Sequence, residues 1–473
     1  MSPPTAEGAR TPRVALLPSA GMGHLTPFLR LAAVLAARGC DVTLITPHPV
    51  VSAAEARHIA AFLASASPRV RSLEFRLLPF DAASATSTDP FFLQFEAIRR
   101  SAHLLGPLLA SACPALSAVV TDVSLISAVA PVVAAVGLPN YVIFTSSAAM
   151  LALCVAFPSA SASLGGAADT FEVPGLAALP INWLPQPLRD PGNLFTTQFV
   201  ENGRELTRVD GIMINTWDAL EGETLAALNA GAVAHLPPVI PVGPLPPVKP
   251  RSIPGIPWLD DQPERSVVYV SFGSRTALSA EQIRELGAGL EKSGCRFLWA
   301  AKSKKVDKED DGVVLEELLG DDGFLRRMEG RGLVVKDWVD QDAVLAHPAV
   351  GGFLCHCGWN SVTEAAIHGV RVLAWPRHGD QRLNAWVVER GGLGTWPTEW
   401  SWEGDAELVS GEEIARRVRE LVGSPDASDA AAPVGEEAVR AAEACGSSRK
   451  ALDELIEKWG RQLGTRSDGM RRP

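Results

Sequence analysis

Short apolar runs alternate with helical repeats along the whole of this 473-residue chain. Val14-Ala15-Leu16-Leu17 is unbroken apolar sequence, as expected of a strand buried on both faces. A tight loop, Ser19-Ala20-Gly21-Met22-Gly23-His24, follows it. Leu25, Phe28, Leu29, Ala32, Leu35 and Ala36 then recur at helical spacing up to about Arg38, and Gly39 is the stop. Asp41 to Thr46 reads as the next strand, with later strands near 70–78, 118–121, 140–145 and 211–216. The pattern restarts in the second half. Val267–Val270 is a strand and Ser271–Ser274 a turn. Ser279-Ala280-Glu281-Gln282 is a capping box for a helix with Ile283, Leu286 and Leu290 inward, and Phe297–Ala301 is a strand. Strand–helix alternation in both halves predicts an α/β protein with parallel sheets. A last helical pattern, over about 435–463, is amphipathic.

Between the halves lies PPVIPVGPLPPVKPRSIPGIP, Pro237 to Pro257. Proline at this density is excluded from helices and central strands, so the stretch reads as a stiff linker. Two doubly wound domains joined this way leave a cleft between them, with ligands expected at the carboxyl ends of the strands. The loops 19–24 and 355–361 both follow strands and can face each other there. Residues 302–322 read as a charged surface excursion, and 424–434 as a loop. The segment 123–168 has no Asp, Glu, Lys, Arg or His. Pro131, Gly137-Leu138-Pro139 and Pro158 are expected to break it into buried helix, strand and helix, which excludes a membrane span.

Composition narrows the class. A hydrophobic content of 47% with 21% charged residues describes a folded protein, and 473 residues exceed one ordinary core. The net charge of −11 argues against nucleic-acid or anionic-membrane partners. Seven scattered cysteines suit a reducing compartment without a disulfide framework. Cys355-His356-Cys357 has the wrong spacing for a zinc knuckle, so no metal is expected. No apolar signal core precedes the first strand, and a cytoplasmic, monomeric protein is expected.

The chemistry concentrates between Trp338 and Gln381, a run of 44 residues. Its core, His356-Cys357-Gly358-Trp359-Asn360-Ser361, follows an apolar strand and opens a helix. Ser361-x-x-Glu364 has the form of a capping box, and by itself that describes only a well-capped helix. A helix N-terminus is also an anion site, with free N–H groups and a positive dipole end suited to a diphosphate. A cap alone does not require Trp338, Gln341, Asp380 and Gln381 at their offsets.

That residue set resembles the C-terminal signature of plant family-1 UDP-glycosyltransferases, and the likeness extends from GMGHLTP to the last helix. It implies two Rossmann-like domains in the GT-B arrangement. Residues 1–245 would be the acceptor domain, 246–258 the linker and 259–450 the UDP-sugar domain, with 451–473 a helix packing back on the first domain. By the same resemblance Trp338 stacks on uracil and the Val339 backbone pairs its edge. Gln341 and Glu364 hold the ribose. His356, Gly358, Asn360, Ser361 and Ser274 serve the phosphates, while Trp359, Asp380 and Gln381 face the sugar. The closing Gln381 resembles users of UDP-glucose. Two positions depart from the family pattern: Asp340 and Arg371 stand where proline is usual.

His24, after the first strand and at a helix start, is a candidate base, since imidazole titrates at about 6.5, near where a phenolic acceptor must lose its proton. Asp122 ends an apolar strand and is the candidate partner, although it can equally cap the helix that follows. Gly21-Met22-Gly23-His24 is not the dinucleotide fingerprint, because Thr26 stands where a glycine is needed. Phe91, Phe92, Phe95, Phe144, Met150, Phe195 and Phe199 are candidates for an acceptor wall, or for core. The segments DPFFLQFEAIRRSAHLLGPLL and FTSSAAMLAL resemble grass flavonoid C-glucosyltransferases, which act on 2-hydroxyflavanones and phloretin-like polyphenols. The expected function is inverting, metal-free C-glucosyl transfer from UDP-glucose to such a small phenolic acceptor. O-glucosyl transfer, a non-catalytic UDP-sugar binder and a sugar-nucleotide epimerase stay open as alternatives.

Overall fold

The computed structural model describes residues 11–79, 89–111, 115–160, 169–248, 255–273, 278–301, 319, 323–336, 339–400, 407–423 and 431–469. Ser274 and Trp338 lie outside the described residues, as does nearly all of 302–322.

Two parallel sheets form the frame. The first contains β1 (Arg13–Leu17), β2 (Asp41–His48), β3 (Val70–Arg76), β4 (Ala118–Asp122), β5 (Asn140–Phe144), β6 (Gly211–Ile214) and β7 (Val239–Pro241), in the order β3-β2-β1-β4-β5-β6-β7. The second contains β8 (Val267–Ser271), β9 (Arg296–Ala300), β10 (Gly332–Val335), β11 (Val350–Cys355), β12 (Arg371–Ala374) and β13 (Gly394–Thr395), in the order β10-β9-β8-β11-β12-β13. Every strand pair in both sheets is parallel. The strand order reverses beside β1 in one sheet and beside β8 in the other, which opens a crevice at the carboxyl ends of β1/β4 and of β8/β11.

Three expectations are corrected, and the amphipathic pattern of the C-terminal region is resolved into its helices. Val239–Pro241 inside the proline-rich stretch is a strand, since β7 is the sheet's edge and Pro241 ends it, where proline does least harm. Pro131 and Pro158 lie inside helices, Ile126–Ala135 and Ala148–Ala160. The chain between these helices turns at Gly137 (φ 66°) and β5. Pro158 deprives the Cys154 carbonyl of its helical donor. The Leu194–Glu205 helix packs on that spot, and a Cβ on Gly203 would stand 2.3 Å from the Cys154 oxygen. The final amphipathic pattern is two helices, Ala432–Ala442 and Ser447–Gly469, parted where Glu443 turns extended. Ser279 caps its helix by accepting from the Gln282 N–H (3.2 Å), but Gln282 does not reciprocate as a capping box requires; its side chain is held by the Val409 backbone.

The Ser447–Gly469 helix returns to the first sheet. Leu452, Leu455 and Trp459 join the core built on Val14, Leu16, Leu25 and Tyr141. Trp459 meets Tyr141 edge-on at 5.3 Å, and Arg38 pairs with Asp453 at 3.1 Å. Among the described residues no helix is long and apolar enough to cross a membrane.

Candidate active site

Strand pairing brings the first two candidates together. β1 and β4 are neighbours in register, with Leu17 opposite Thr121, so the Met22–Ala37 helix starts beside the end of β4. His24 lies in that helix's first turn and Asp122 is the last residue of β4. His24 Nδ1 is 2.9 Å from Asp122 Oδ2. The carboxylate has only acceptor atoms, so Nδ1 carries the proton and the basic lone pair falls on Nε2. Thr145 Oγ1 approaches the same Nδ1 at 3.2 Å. Asp122 is wholly buried, while the imidazole is 35% exposed. Its other oxygen accepts from the Ser124 N–H (2.8 Å) and hydroxyl (2.6 Å). Asp122 thus meets both the next turn, as its cap, and the His24 ring.

The facing loop is built the same way. β8 and β11 pair with Ser271 opposite Cys355, which places Gly273 against His356. A Cβ on Gly273 (φ 74°) would come within 2.6 Å of the imidazole, and one on Gly358 equally close, so these glycines clasp the ring. The helix then runs Trp359–Ile367 with Gly358 as N-cap and no side-chain cap. The predicted Ser361-x-x-Glu364 capping box does not form. Both side chains lie inside the helix and are taken by Gln341 Nε2, which donates to Ser361 Oγ (3.0 Å) and Glu364 Oε2 (2.7 Å). No side chain caps the first N–H groups of this helix, an arrangement that suits an anion.

One cavity of about 1650 Å³ joins the two loops. From the second sheet it is lined by Val339, Gln341, His356, Gly358, Trp359, Asn360, Ser361, Glu364, Asp380 and Gln381. From the first sheet come His24 and all seven acceptor-wall candidates, Phe91, Phe92, Phe95, Phe144, Met150, Phe195 and Phe199. Asp89 starts the Pro90–Ser101 helix by accepting from the Phe91 N–H (2.9 Å). Phe91 then leans on the 19–24 loop, its ring 3.4 Å from where a Gly21 Cβ would be. Three groups on the second-sheet side are more committed than the sequence suggested. The Trp359 indole N–H donates to the Asn215 carbonyl (2.9 Å), Asn360 Nδ2 reaches the Gly23 carbonyl (3.4 Å), and Gln381 Oε1 accepts from the Arg377 and His378 N–H groups.

Residues 237–398 match the family described as UDP-glucoronosyl and UDP-glucosyl transferase. The chain is 54% identical over 455 residues to the UDP-glycosyltransferase CGT of Oryza sativa subsp. japonica, covering 94% of this chain and 96% of the rice protein. The crystal structure of LpCGTa in complex with UDP superposes with a TM-score of 0.86 at 61% identity, covering 95% of this chain and 99% of that one. Phytolacca americana UGT2, solved with UDP-2fluoro-glucose and pterostilbene, gives 0.82 at 30% identity, covering 95% and 100%. The chain belongs to the UDP-glycosyltransferase family. This glycosyltransferase has the GT-B architecture of those structures, two α/β domains facing across a cleft.

Three polar residues of this glycosyltransferase's cleft escaped the sequence analysis. Arg30 pairs with Glu364 across the domains, both buried. Ser146 donates to Asp380 and also lies 3.2 Å from Asn384 Oδ1. Asn384 donates to Asp380 (2.9 Å) and to the Cys357 carbonyl (3.0 Å). A signal existed for Arg30, the only charge between His24 and Arg38 in an otherwise apolar helix. Nothing in the sequence distinguishes Ser146 among its neighbouring serine and threonine. Among the described residues no group of three His, Cys, Asp or Glu could hold a metal ion. Burial pushes the Cys357 thiol well above its ordinary value, leaving a protonated and poor metal ligand.

Proposed function

We propose that this glycosyltransferase is an inverting C-glucosyltransferase, moving glucose from UDP-glucose to a 2-hydroxyflavanone or phloretin-like acceptor. The observation that carries the reading is the His24–Asp122 pair (2.9 Å), opening on the same cavity as the His356–Glu364 helix end and the phenylalanine wall. UDP lies on the second domain, its diphosphate at the Trp359 helix end with His356, Asn360, Ser361 and Ser274. Trp338 and Val339 take the uracil, and Gln341 and Glu364 the ribose. Asp380, Gln381 and Trp359 face the glucose. Residues 1–245 supply the acceptor end and 259–450 the donor end. Linker 246–258 joins them, and the C-terminal segment from 451 returns to the first domain. A cleft complete within one chain supports a monomer as the active unit, and free cysteines suit the cytosol.

His24 Nε2 takes a phenolic proton, and buried Asp122 stabilises the resulting imidazolium. Negative charge spreads from the phenolate oxygen to the ortho carbon. That carbon attacks glucose C1 on the face opposite UDP. The C–C bond forms as the C1–O bond to the diphosphate breaks, and UDP leaves with the electron pair. The resulting dienone gives its ring C–H proton to solvent while its oxygen regains a proton from the His24 imidazolium, which restores both the aromatic phenol and the base, and the product is β-linked. Carbon rather than oxygen attack depends on ring placement to about one ångström. The letters CGT shared by the names of the rice relative and of LpCGTa are in keeping with carbon. The test is UDP-glucose with phloretin or 2-hydroxynaringenin, followed by mass spectrometry before and after hot acid. An acid-stable glucoside is expected. An acid-labile one would transfer the assignment to O-glucosylation, and no glucoside with any phenol would reject transfer.

A further inference from the structure

One helix carries both the candidate base and a second group aimed at the donor. His24 opens the Met22–Ala37 helix, and Arg30 lies six residues on, roughly 9 Å along its axis. Arg30 is 4% exposed and lines the same cavity. Its Nη2 donates to Glu364 Oε1 on the opposite domain, while Gln341 Nε2 holds Oε2 at 2.7 Å. Two further guanidinium nitrogens, Nε and Nη1, are buried without a protein partner. Nearby His58 does not compete as a cation, since burial and then the Arg30 charge hold its imidazole below the ordinary value. A guanidinium placed here fixes the orientation of the Glu364 carboxylate. Each carboxylate oxygen has two acceptor sites, so Arg30 and Gln341 can each keep one while the others remain for two hydroxyl donors.

We infer that Arg30 is a positioning residue for the donor ribose: an acceptor-domain side chain that sets the ribose-binding carboxylate of the donor domain. The inference rests on the reading of Glu364 as the ribose ligand. It assigns the first domain a share of donor recognition, and it makes cleft closure and ribose binding one event, because the carboxylate is fully set only when the two domains meet.

The test measures binding of UDP and of 2′,3′-dideoxy-UDP to the full chain by calorimetry, with no acceptor present. The wild type is expected to prefer UDP by about ten- to hundredfold, as hydroxyl bonds to a charged carboxylate imply. In R30M that preference is expected to collapse towards unity, through loss of UDP affinity with dideoxy-UDP changed by less than about threefold. R30Q keeps a donor without the charge and answers the same question should R30M not fold; a reduced preference is expected there too. An equal loss for both nucleotides, or an unchanged preference, in a folded Arg30 variant would overturn the inference and leave a merely structural ion pair. E364Q separates the underlying reading: if it leaves the wild-type preference intact, Glu364 is not the ribose ligand. Neither result depends on whether the acceptor is attacked at carbon or oxygen.

Discussion

Ser146, two residues past the end of β5, donates its hydroxyl hydrogen to the Asp380 carboxylate on the other side of the cleft. The acceptor domain thus helps hold the carboxylate assigned to the glucose. Asn384 supports the same oxygen from within the donor domain, so the two share the task. S146A is expected to lower kcat/KM for UDP-glucose by about tenfold, the low end for a lost hydrogen bond to a charged group. The KM for the acceptor should hardly change. S146A/N384A, which strips both supports, should lose clearly more than either single variant. Steady-state kinetics with each substrate varied in turn measures this; a wild-type S146A would leave the work to Asn384 alone.

His24 and Asp122 should separate chemistry from binding. H24A is expected to lower kcat by about 10²–10⁴, the usual contribution of a positioned general base, while UDP affinity stays within a few-fold. D122N keeps an acceptor for Nδ1–H but removes the charge that stabilises the imidazolium. It should fall between wild type and H24A. Kinetics paired with UDP calorimetry reads both effects, and a fully active H24A would reject the base assignment.

Glu221 predicts a pH effect on stability. It is buried beneath the Ala148–Ala160 helix, where both carboxylate oxygens accept backbone N–H groups, from Ala148 (2.9 Å) and Ala149 (3.0 Å). Burial, only partly offset by these bonds and by Thr216, raises its value from 4.5 to about 7. A raised carboxyl binds its proton more tightly when folded. Its contribution is therefore complete below about 4.5 and is lost as pH rises through about 7, on the order of 3 kcal/mol. The wild-type denaturation midpoint should fall relative to that of E221Q between pH 5 and pH 8. At pH 5, E221Q itself should be less stable by roughly 1–3 kcal/mol, because an amide has one acceptor for two N–H groups. Parallel midpoints across that range would mean that Glu221 stays ionised.

Trp459 tests the returning helix. Fully buried against Tyr141, it should cost about 3–5 kcal/mol on truncation in W459A, read from urea unfolding. The loss should appear in the transition that exposes the first sheet, since Trp459 packs with Val14 and Leu16. A loss confined to the final helix, with the first sheet unfolding as in wild type, would show that the helix is dispensable.

Much of this was legible in the chain itself. Apolar runs such as Val14–Leu17 and Val350–Cys355 can only be strands covered on both faces, and parallel sheets follow from the helices between them. The motif residues from Val339 to Gln381 could be named because their set and offsets resemble the family signature, and the cavity lining includes them. Asp122 was legible as well, since a lone carboxylate ending an apolar strand needs a partner. Tertiary structure decided the rest. Pro158 stays inside its helix, and the close approach of Gly203 to that spot is a contact that no local pattern reveals. Whether Ser361 and Glu364 cap their helix depends on Gln341, twenty residues upstream, which takes both side chains instead. The bonds Arg30–Glu364 and Ser146–Asp380 join residues more than two hundred positions apart. No periodicity or spacing encodes such a bond, because it exists only once two separately folded sheets face each other.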